Sequence, residues 1–105
     1  MYNVIHTEEF EEDVKNITHY ISDKLSNPIA AVNLIDTMYD SLAKLELFPY
    51  MHPVYDSYIS RNKLNREYRQ IVVGSYSIFY YVIDNEKRKD VYISRVYNHR
   101  QIARF

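Results

Sequence analysis

Tyr68-Arg69-Gln70-Ile71-Val72-Val73-Gly74-Ser75-Tyr76-Ser77-Ile78-Phe79-Tyr80-Tyr81-Val82-Ile83 is the stretch that decides the fold. Two runs rich in β-branched and aromatic residues flank Gly74-Ser75, the pattern of a hairpin with a two-residue turn. The pattern predicts strands over 68–73 and 76–83. A third, over 90–96, follows the polar connection Asp84-Asn85-Glu86-Lys87-Arg88-Lys89. The strand over 76–83 is apolar on both sides: Tyr76, Ile78, Tyr80 and Val82 alternate with Phe79, Tyr81 and Ile83, and Ser77 is its one polar residue. An antiparallel sheet covered on one face carries polar residues on the other. Part of this chain or a partner therefore covers the second face, unless its tyrosines sit half-wet through their hydroxyls.

Upstream lies what covers the first face. Thr7-Glu8-Glu9 has the form of an N-cap followed by acids that oppose the positive end of a helix dipole. Phe10, Val14, Ile17, Ile21 and Leu25 then recur at four, three, four and four residues, one face of a helix. Ser26-Asn27-Pro28 supplies a cap and a proline at the first helical position. Ala31, Ile35, Met38, Leu42 and Leu45 line a second helix, with Val32, Leu34 and Tyr39 widening the stripe, until Phe48-Pro49 ends it. So short a link makes the two helices an antiparallel hairpin. With a short apolar segment at Tyr2–Ile5, and an irregular stretch from Tyr50 to about Arg66, the order is β-α-α-β-β-β. The expected fold is α+β: one domain over 1–105, a helical hairpin packed on a mainly antiparallel four-stranded sheet. The row Ala31–Leu45 reads as core packing rather than as a dimer seam, because a coiled coil needs a longer pattern.

Composition narrows the chemistry. The chain has 105 residues, 47% of them apolar, with no cysteine and one glycine. Without cysteine there is no disulfide, thiolate nucleophile or cysteine zinc site, and a reducing cytoplasm is the expected compartment. The single glycine excludes glycine-rich phosphate loops. No apolar run reaches the roughly 18–20 residues that span a bilayer, and the first residues lack the features of a signal peptide, so no membrane partner is expected. The net charge of −1 conceals a division: residues 1–56 carry three lysines against ten acids, and residues 57–105 carry ten cations against four acids. The second half, at +6, is the one suited to an anionic partner.

Four stretches now fall into one pattern: Asn27-Pro28-Ile29-Ala30-Ala31 opening a helix, its close at Leu45-Glu46-Leu47-Phe48-Pro49, the hairpin Tyr68 to Tyr80, and the final Val91-Tyr92-Ile93-Ser94-Arg95-Val96. Together with the element order they resemble the RelE/ParE family of bacterial toxins over nearly the whole chain. The resemblance implies a growth-inhibiting toxin of a type II toxin–antitoxin system, of the kind associated with plasmid stabilization, in a hetero-oligomer with a cognate antitoxin that wraps and blocks it. The family has two branches. The RelE-like branch is a metal-free, ribosome-dependent mRNA endoribonuclease (an mRNA interferase), in which arginine, lysine, tyrosine or histidine assist attack of a 2′-hydroxyl on the adjacent phosphate. The ParE-like branch is a binding-only inhibitor of DNA gyrase. No cofactor or metal is implied in either, and whether the chain is an enzyme depends on the branch.

Phosphodiester cleavage needs cations for the charged transition state and groups that move protons near neutral pH. Tyr97, His99 and Arg100 are the candidate catalytic set if the chain is a nuclease. Arg61, Lys63, Arg66, Arg95 and Arg104 are the candidate contacts to target or antitoxin. The resemblance places Val72 where the nuclease branch carries a catalytic arginine and Ser77 where a basic residue is frequent, and Phe105 falls one residue short of the nuclease tyrosine and lacks its hydroxyl. These positions tilt the reading toward gyrase. Arg69 shares strand parity with Ile71 and Val73, opposite to Val72, and reads as a structural ion pair, with a helix acid as the candidate partner. Arg95 shares parity with Val91 and Ile93, leaving anchoring and surface function both open. Arg100 and His99 lie on what reads as an untethered basic tail. The acids Glu8, Glu9, Glu11, Glu12 and Asp13 read as a solvated helix start rather than an antitoxin patch. His19 and His52 are read as having no histidine or carboxylate at ligand spacing. A third reading, an RNA-binding module without toxin activity, would use the tyrosines as stacking platforms.

Overall fold

The computed structural model describes residues 1–55 and 66–102. Strand β1 (Asn3–His6), helices α1 (Glu8–His19) and α2 (Pro28–Ala43), strands β2 (Arg69–Val73), β3 (Tyr76–Asp84) and β4 (Lys89–Asn98), and one closing helical turn, α3 (His99–Ile102), follow in the expected order. The sheet runs β1-β4-β3-β2, with β1 parallel to β4 and the other pairs antiparallel. The helical hairpin is thus the crossover that a parallel pair requires. Val73 pairs with Tyr76 across Gly74, whose φ of 58° is the left-handed conformation that makes glycine the residue of choice there.

The caps form as the sequence predicts. Thr7 Oγ1 accepts from the Phe10 N–H at 3.2 Å, and Asn27 Oδ1 accepts from the Ala30 N–H at 3.1 Å. The expected first helix does not stay regular to Leu25. Residues Tyr20–Lys24 form a π turn, with the Leu25 N–H reaching Tyr20 O. The wider turn takes Leu25 out of the stripe, and it ends 55% exposed. Val32, expected to widen the second stripe, is also exposed, and so is Tyr39, although its ring sits edge-on to Phe10.

The core lies between the hairpin and one sheet face. Phe10, Val14, Met38, Leu42 and Leu45 from the helical side meet Ile71, Val73, Ile78, Tyr80, Val91, Ile93 and Val96 from the strands. Tyr80 is fully buried because its hydroxyl has a partner: it donates to Pro49 O at 2.7 Å. Arg69, on the core face as its parity requires, finds no helix acid; its guanidinium donates to Tyr50 O, His52 O and Glu67 Oε1 and so pins the 50–52 loop.

One strand departs from simple alternation. Phe79 pairs with Arg95 but Tyr80 with Ile93, so Ser94 is an extra residue, a β-bulge. The expectation that Arg95 shares a face with Val91 and Ile93 therefore fails. Beyond the bulge Val96 takes the core position and Arg95 turns to the opposite face.

Beyond the bulge β4 also loses its neighbour, since β1 stops at His6 opposite Ile93. Side chains take the place of the missing strand. Thr7 Oγ1 donates toward Ile93 O (2.7 Å) and Ser94 O (3.1 Å), Asp13 Oδ2 accepts from the Val96 N–H (3.0 Å), and Gln101 Oε1 accepts from the Asn98 N–H (2.9 Å). Asp13 also clamps Arg95, with Oδ2 to Nε at 2.7 Å and Oδ1 to Nη2 at 3.0 Å. The acidic helix start is thus not uniformly solvated: Glu8, Glu9, Glu11 and Glu12 are exposed, but Asp13 is not.

Candidate functional site

The face of the sheet away from the helices carries the candidate residues. β3 contributes Ser77, Phe79 and Tyr81 to it, β4 contributes Tyr92, Arg95 and Tyr97, and Tyr68 flanks β2. The chain itself covers much of this face. Pro53 O accepts from the Gln70 N–H and the Tyr55 N–H donates to Tyr68 O, which lays residues 53–55 along β2 and sets the Tyr55 ring against Phe79 at 4.9 Å.

The rings then pair among themselves. Tyr81 and Tyr92 stack at 5.2 Å and 15°, with Tyr68 edge-on to Tyr81 and Phe79 beside Tyr97. Arginines lie on the stack: Arg66 4.4 Å from the Tyr81 ring centre, Arg88 over Tyr92 and hydrogen-bonded to its hydroxyl, and Arg95 4.8 Å from Tyr97. Ring faces that would receive a base are largely engaged within the chain.

At the end of this face the polar residues converge. Ser77 is fully buried, and its Oγ accepts from Gln70 Nε2 at 2.9 Å and sits 2.9 Å from His99 Nε2. In the tautomer that carries its proton on Nδ1, His99 accepts from the serine hydroxyl, which leaves only Nδ1 for outside partners. Tyr97 is the cross-strand partner of Ser77, so Tyr97 and His99 are brought together around one serine. Burial pushes the Tyr97 phenol up, away from the range in which it could act as a base near neutral pH.

The remaining expected residues fall in different places. His99 and Arg100 belong to no untethered tail: the His99 N–H donates to Ser75 O at 2.9 Å, and Asn98 Oδ1 caps α3 by accepting from the Arg100 N–H at 2.9 Å. The Arg100 side chain is exposed. Arg66 lies on the tyrosine stack, and Arg95 is committed to Asp13. Val72 is 61% exposed. Arg61, Lys63, Arg104 and Phe105 lie outside the described residues.

Sequence reasoning missed two participants and misread one histidine. Gln70 alternates onto the outer face diagonally across the hairpin from Ser77, so a polar pair in an apolar hairpin was the available signal. Asp13 falls three residues after Phe10, on the apolar side of α1, which is a sign of a carboxylate with a partner. His19 does have a carboxylate one turn away, Asp23 Oδ2 at 3.0 Å from Nδ1. Both are exposed, and among the described residues no three metal-ligating side chains converge. Nor does any described helix have the length and apolarity to cross a membrane.

The chain matches, over residues 4–103, the family model described as ParE toxin of type II toxin-antitoxin system, parDE. Among solved structures it is similar to a chain of the chromosomal ParDE TA system from P. aeruginosa, at a TM-score of 0.68 and 17% identity, covering 93% of this chain and 96% of that one. At that identity the likeness speaks for the fold. No curated protein sequence matches it.

Proposed function

The chain belongs to the ParE toxin family of type II toxin–antitoxin systems, and we propose on that basis that it inhibits growth by binding DNA gyrase, without catalysis, and is neutralised by a cognate antitoxin in a hetero-oligomer. The observation that carries the choice of target is what stands at the two strand positions where the nuclease branch uses cations. Val72 is apolar and exposed, and Ser77 is buried. Neither can stabilise a phosphorane-like transition state. The hydrogen bond between Ser77 and His99 Nε2 occupies one ring nitrogen of His99, and the raised Tyr97 phenol stays protonated near neutral pH and cannot serve as the base, which favours a supporting role for both at the sheet end. Exposed Arg66 and Arg100, with Arg61, Lys63 and Arg104, give the basic half its complement for an acidic surface. Gyrase and antitoxin would both be met in the cytoplasm.

The nuclease reading has one observation in its favour: Tyr97 and His99 border the same serine, with Arg100 next in the chain. One experiment separates the two. Purified toxin is added to DNA gyrase with relaxed plasmid, and in parallel to translating ribosomes with a defined messenger. Loss of supercoiling with intact messenger, retained by His99→Ala, is the expected result. Messenger cleavage in the ribosomal A site with normal supercoiling, abolished by His99→Ala or Arg100→Ala, overturns it.

A further inference from the structure

The sheet has a second place where a strand outruns its neighbour. β2 begins at Arg69, opposite Tyr80, while β3 continues through Tyr81 to Asp84. The direction of the main-chain groups there follows from the ladder. The Gln70 N–H points away from β3, to Pro53 O, and the Val96 N–H points away from β3, to Asp13. Tyr76, Ile78 and Tyr80 are therefore the residues of β3 that exchange hydrogen bonds with β2, and Ser77 and Phe79 those that face β4. Alternation carries this on to Val82 and Asp84, whose N–H and C=O groups point into the lane that β2 has not entered. Among the described residues nothing bonds to them.

That lane is a groove of about 220 Å³ lined by Tyr50, Arg66, Glu67, Arg69, Tyr81, Val82 and Ile83. Tyr50 and Arg69 wall its helix side, and Tyr81 and Ile83 its outer side. The cations differ in commitment. Arg69 is held by two carbonyls and Glu67. Arg66 lies on the Tyr81 ring, exposed, and no described carboxylate pairs with it. An exposed strand edge is a template for an extended chain, with alternate side chains falling to either side.

We infer that the edge of β3 at Val82 is a docking site for an extended acidic segment of a partner protein, which pairs its main chain with Val82 and sets a carboxylate against Arg66. Charge complementarity decides the partner's chemistry: the Arg66 guanidinium, paired with no described carboxylate, is at the lip of the groove, and the Glu67 carboxylate is already engaged by Arg69. The inference is independent of the gyrase assignment, since neither gyrase nor ribosome enters its test.

The test uses the whole 105-residue chain and amide NMR. The probes are the peptide acetyl-Thr-Val-Glu-Val-Thr-amide and its counterpart with Lys in place of Glu. In the peptide-free chain the Val82 amide should exchange with solvent at least about tenfold faster than that of Tyr80. The glutamate peptide should shift and protect the Val82 and Asp84 amides, and bind roughly two- to fivefold more tightly than the lysine peptide, the worth of one exposed ion pair. Arg66→Gln should abolish that preference and Arg66→Glu reverse it, with the remaining amide spectrum unchanged as the check on folding. Protection of Val82 without peptide overturns the inference; if the protection grows with protein concentration, the edge belongs to a second copy, and if it does not, to the chain itself. Equal binding of the two peptides by the unaltered chain also overturns it.

Discussion

At the β4 end of the sheet a strand runs past its neighbour and every outward N–H beyond the break has a partner, from Asp13 and Gln101. At the β3 end a strand also runs past its neighbour, but there the side chains are tied to one another: Asp84 accepts from the Tyr2 hydroxyl at 2.7 Å, from Lys89 Nζ at 2.6 Å and from the Tyr50 hydroxyl at 3.2 Å. The first arrangement closes an edge. The second holds β1, the loop before residue 51 and the β3–β4 hairpin together, while no described residue bonds to the edge beside it. A buried hydrogen bond to main chain contributes to stability because its loss strands a polar group; an exposed cluster contributes little and stays available to a partner. The two ends should therefore answer differently to mutation.

The largest effect is expected at Asp13. Its carboxylate side chain is 13% exposed and serves Val96 and Arg95 together. Asp13→Ala leaves the Val96 N–H without a partner and frees the guanidinium, a cost of about 2–3 kcal/mol. Asp13→Asn keeps an acceptor for Val96 and should cost about half as much. Urea unfolding at unchanged m-value measures both. A loss below about 0.5 kcal/mol in the alanine variant would mean that water serves this edge as well as Asp13 does.

How much of this was legible in the sequence depends on the range of the interaction. Periodicity in Phe10 to Ile21 and in Ala31 to Leu45, the Gly74-Ser75 turn and the two caps are local, and they gave the architecture. The two-faced β3 was legible too, because strand alternation is local, although Tyr55 and Tyr68 as its cover were not. What failed was set by contacts distant in sequence. The bulge at Ser94 lies where α1 meets β4 and β1 ends, and a single extra residue inverted the face of Arg95. The π turn at Tyr20–Lys24 has no proline or glycine to announce it. At the candidate site Tyr97, His99 and Arg100 stood out by residue type, but the serine that holds His99 lies 22 residues away and read as an empty nuclease position.

The intermediate effect is one of pH, and it belongs to the β3 end. Lys89 foremost, then the Tyr2 hydroxyl, hold the Asp84 carboxyl below its usual range. Its contribution is whole above pH ~4, where unfolded carboxylates are ionised, and is lost as the pH falls through the depressed value. Asp84 in turn pushes the Tyr2 phenol up from 10.0 to about 12. The contribution of that phenol is whole below pH 10 and is lost as the pH rises toward 12. Tyr2→Phe should flatten the alkaline slope of stability without removing it, because burial also raises Tyr80 and Tyr97. Asp84→Asn should flatten both slopes, with part of the acid slope remaining through Asp90, which Arg88 and Asn3 hold down in the same way. Thermal midpoints across the range read both. An alkaline slope unchanged in Tyr2→Phe would break the cluster.

The smallest effect is the one that isolates the difference between the ends. Arg66 and Arg95 each lie on a tyrosine ring of the same face, at 4.4 and 4.8 Å, so their ring contacts are matched. Arg95 also has Asp13; Arg66 has no described carboxylate. Arg66→Ala therefore loses a cation–π contact at an exposed site and little else, no more than about 1 kcal/mol. Arg95→Ala loses the same contact and leaves a largely buried carboxylate with only Val96, which should cost at least about 1 kcal/mol more. A double-mutant cycle of Arg95→Ala with Asp13→Ala separates the ion pair from the ring contact, because the coupling contains the pair alone. If the two arginine variants prove equal, the ion pair adds nothing to the closed edge, and the asymmetry rests on the Asp13 bond to the backbone. If Arg66→Ala is the costlier, Arg66 is structural, and a groove that depends on it for stability is a poor place to dock a partner.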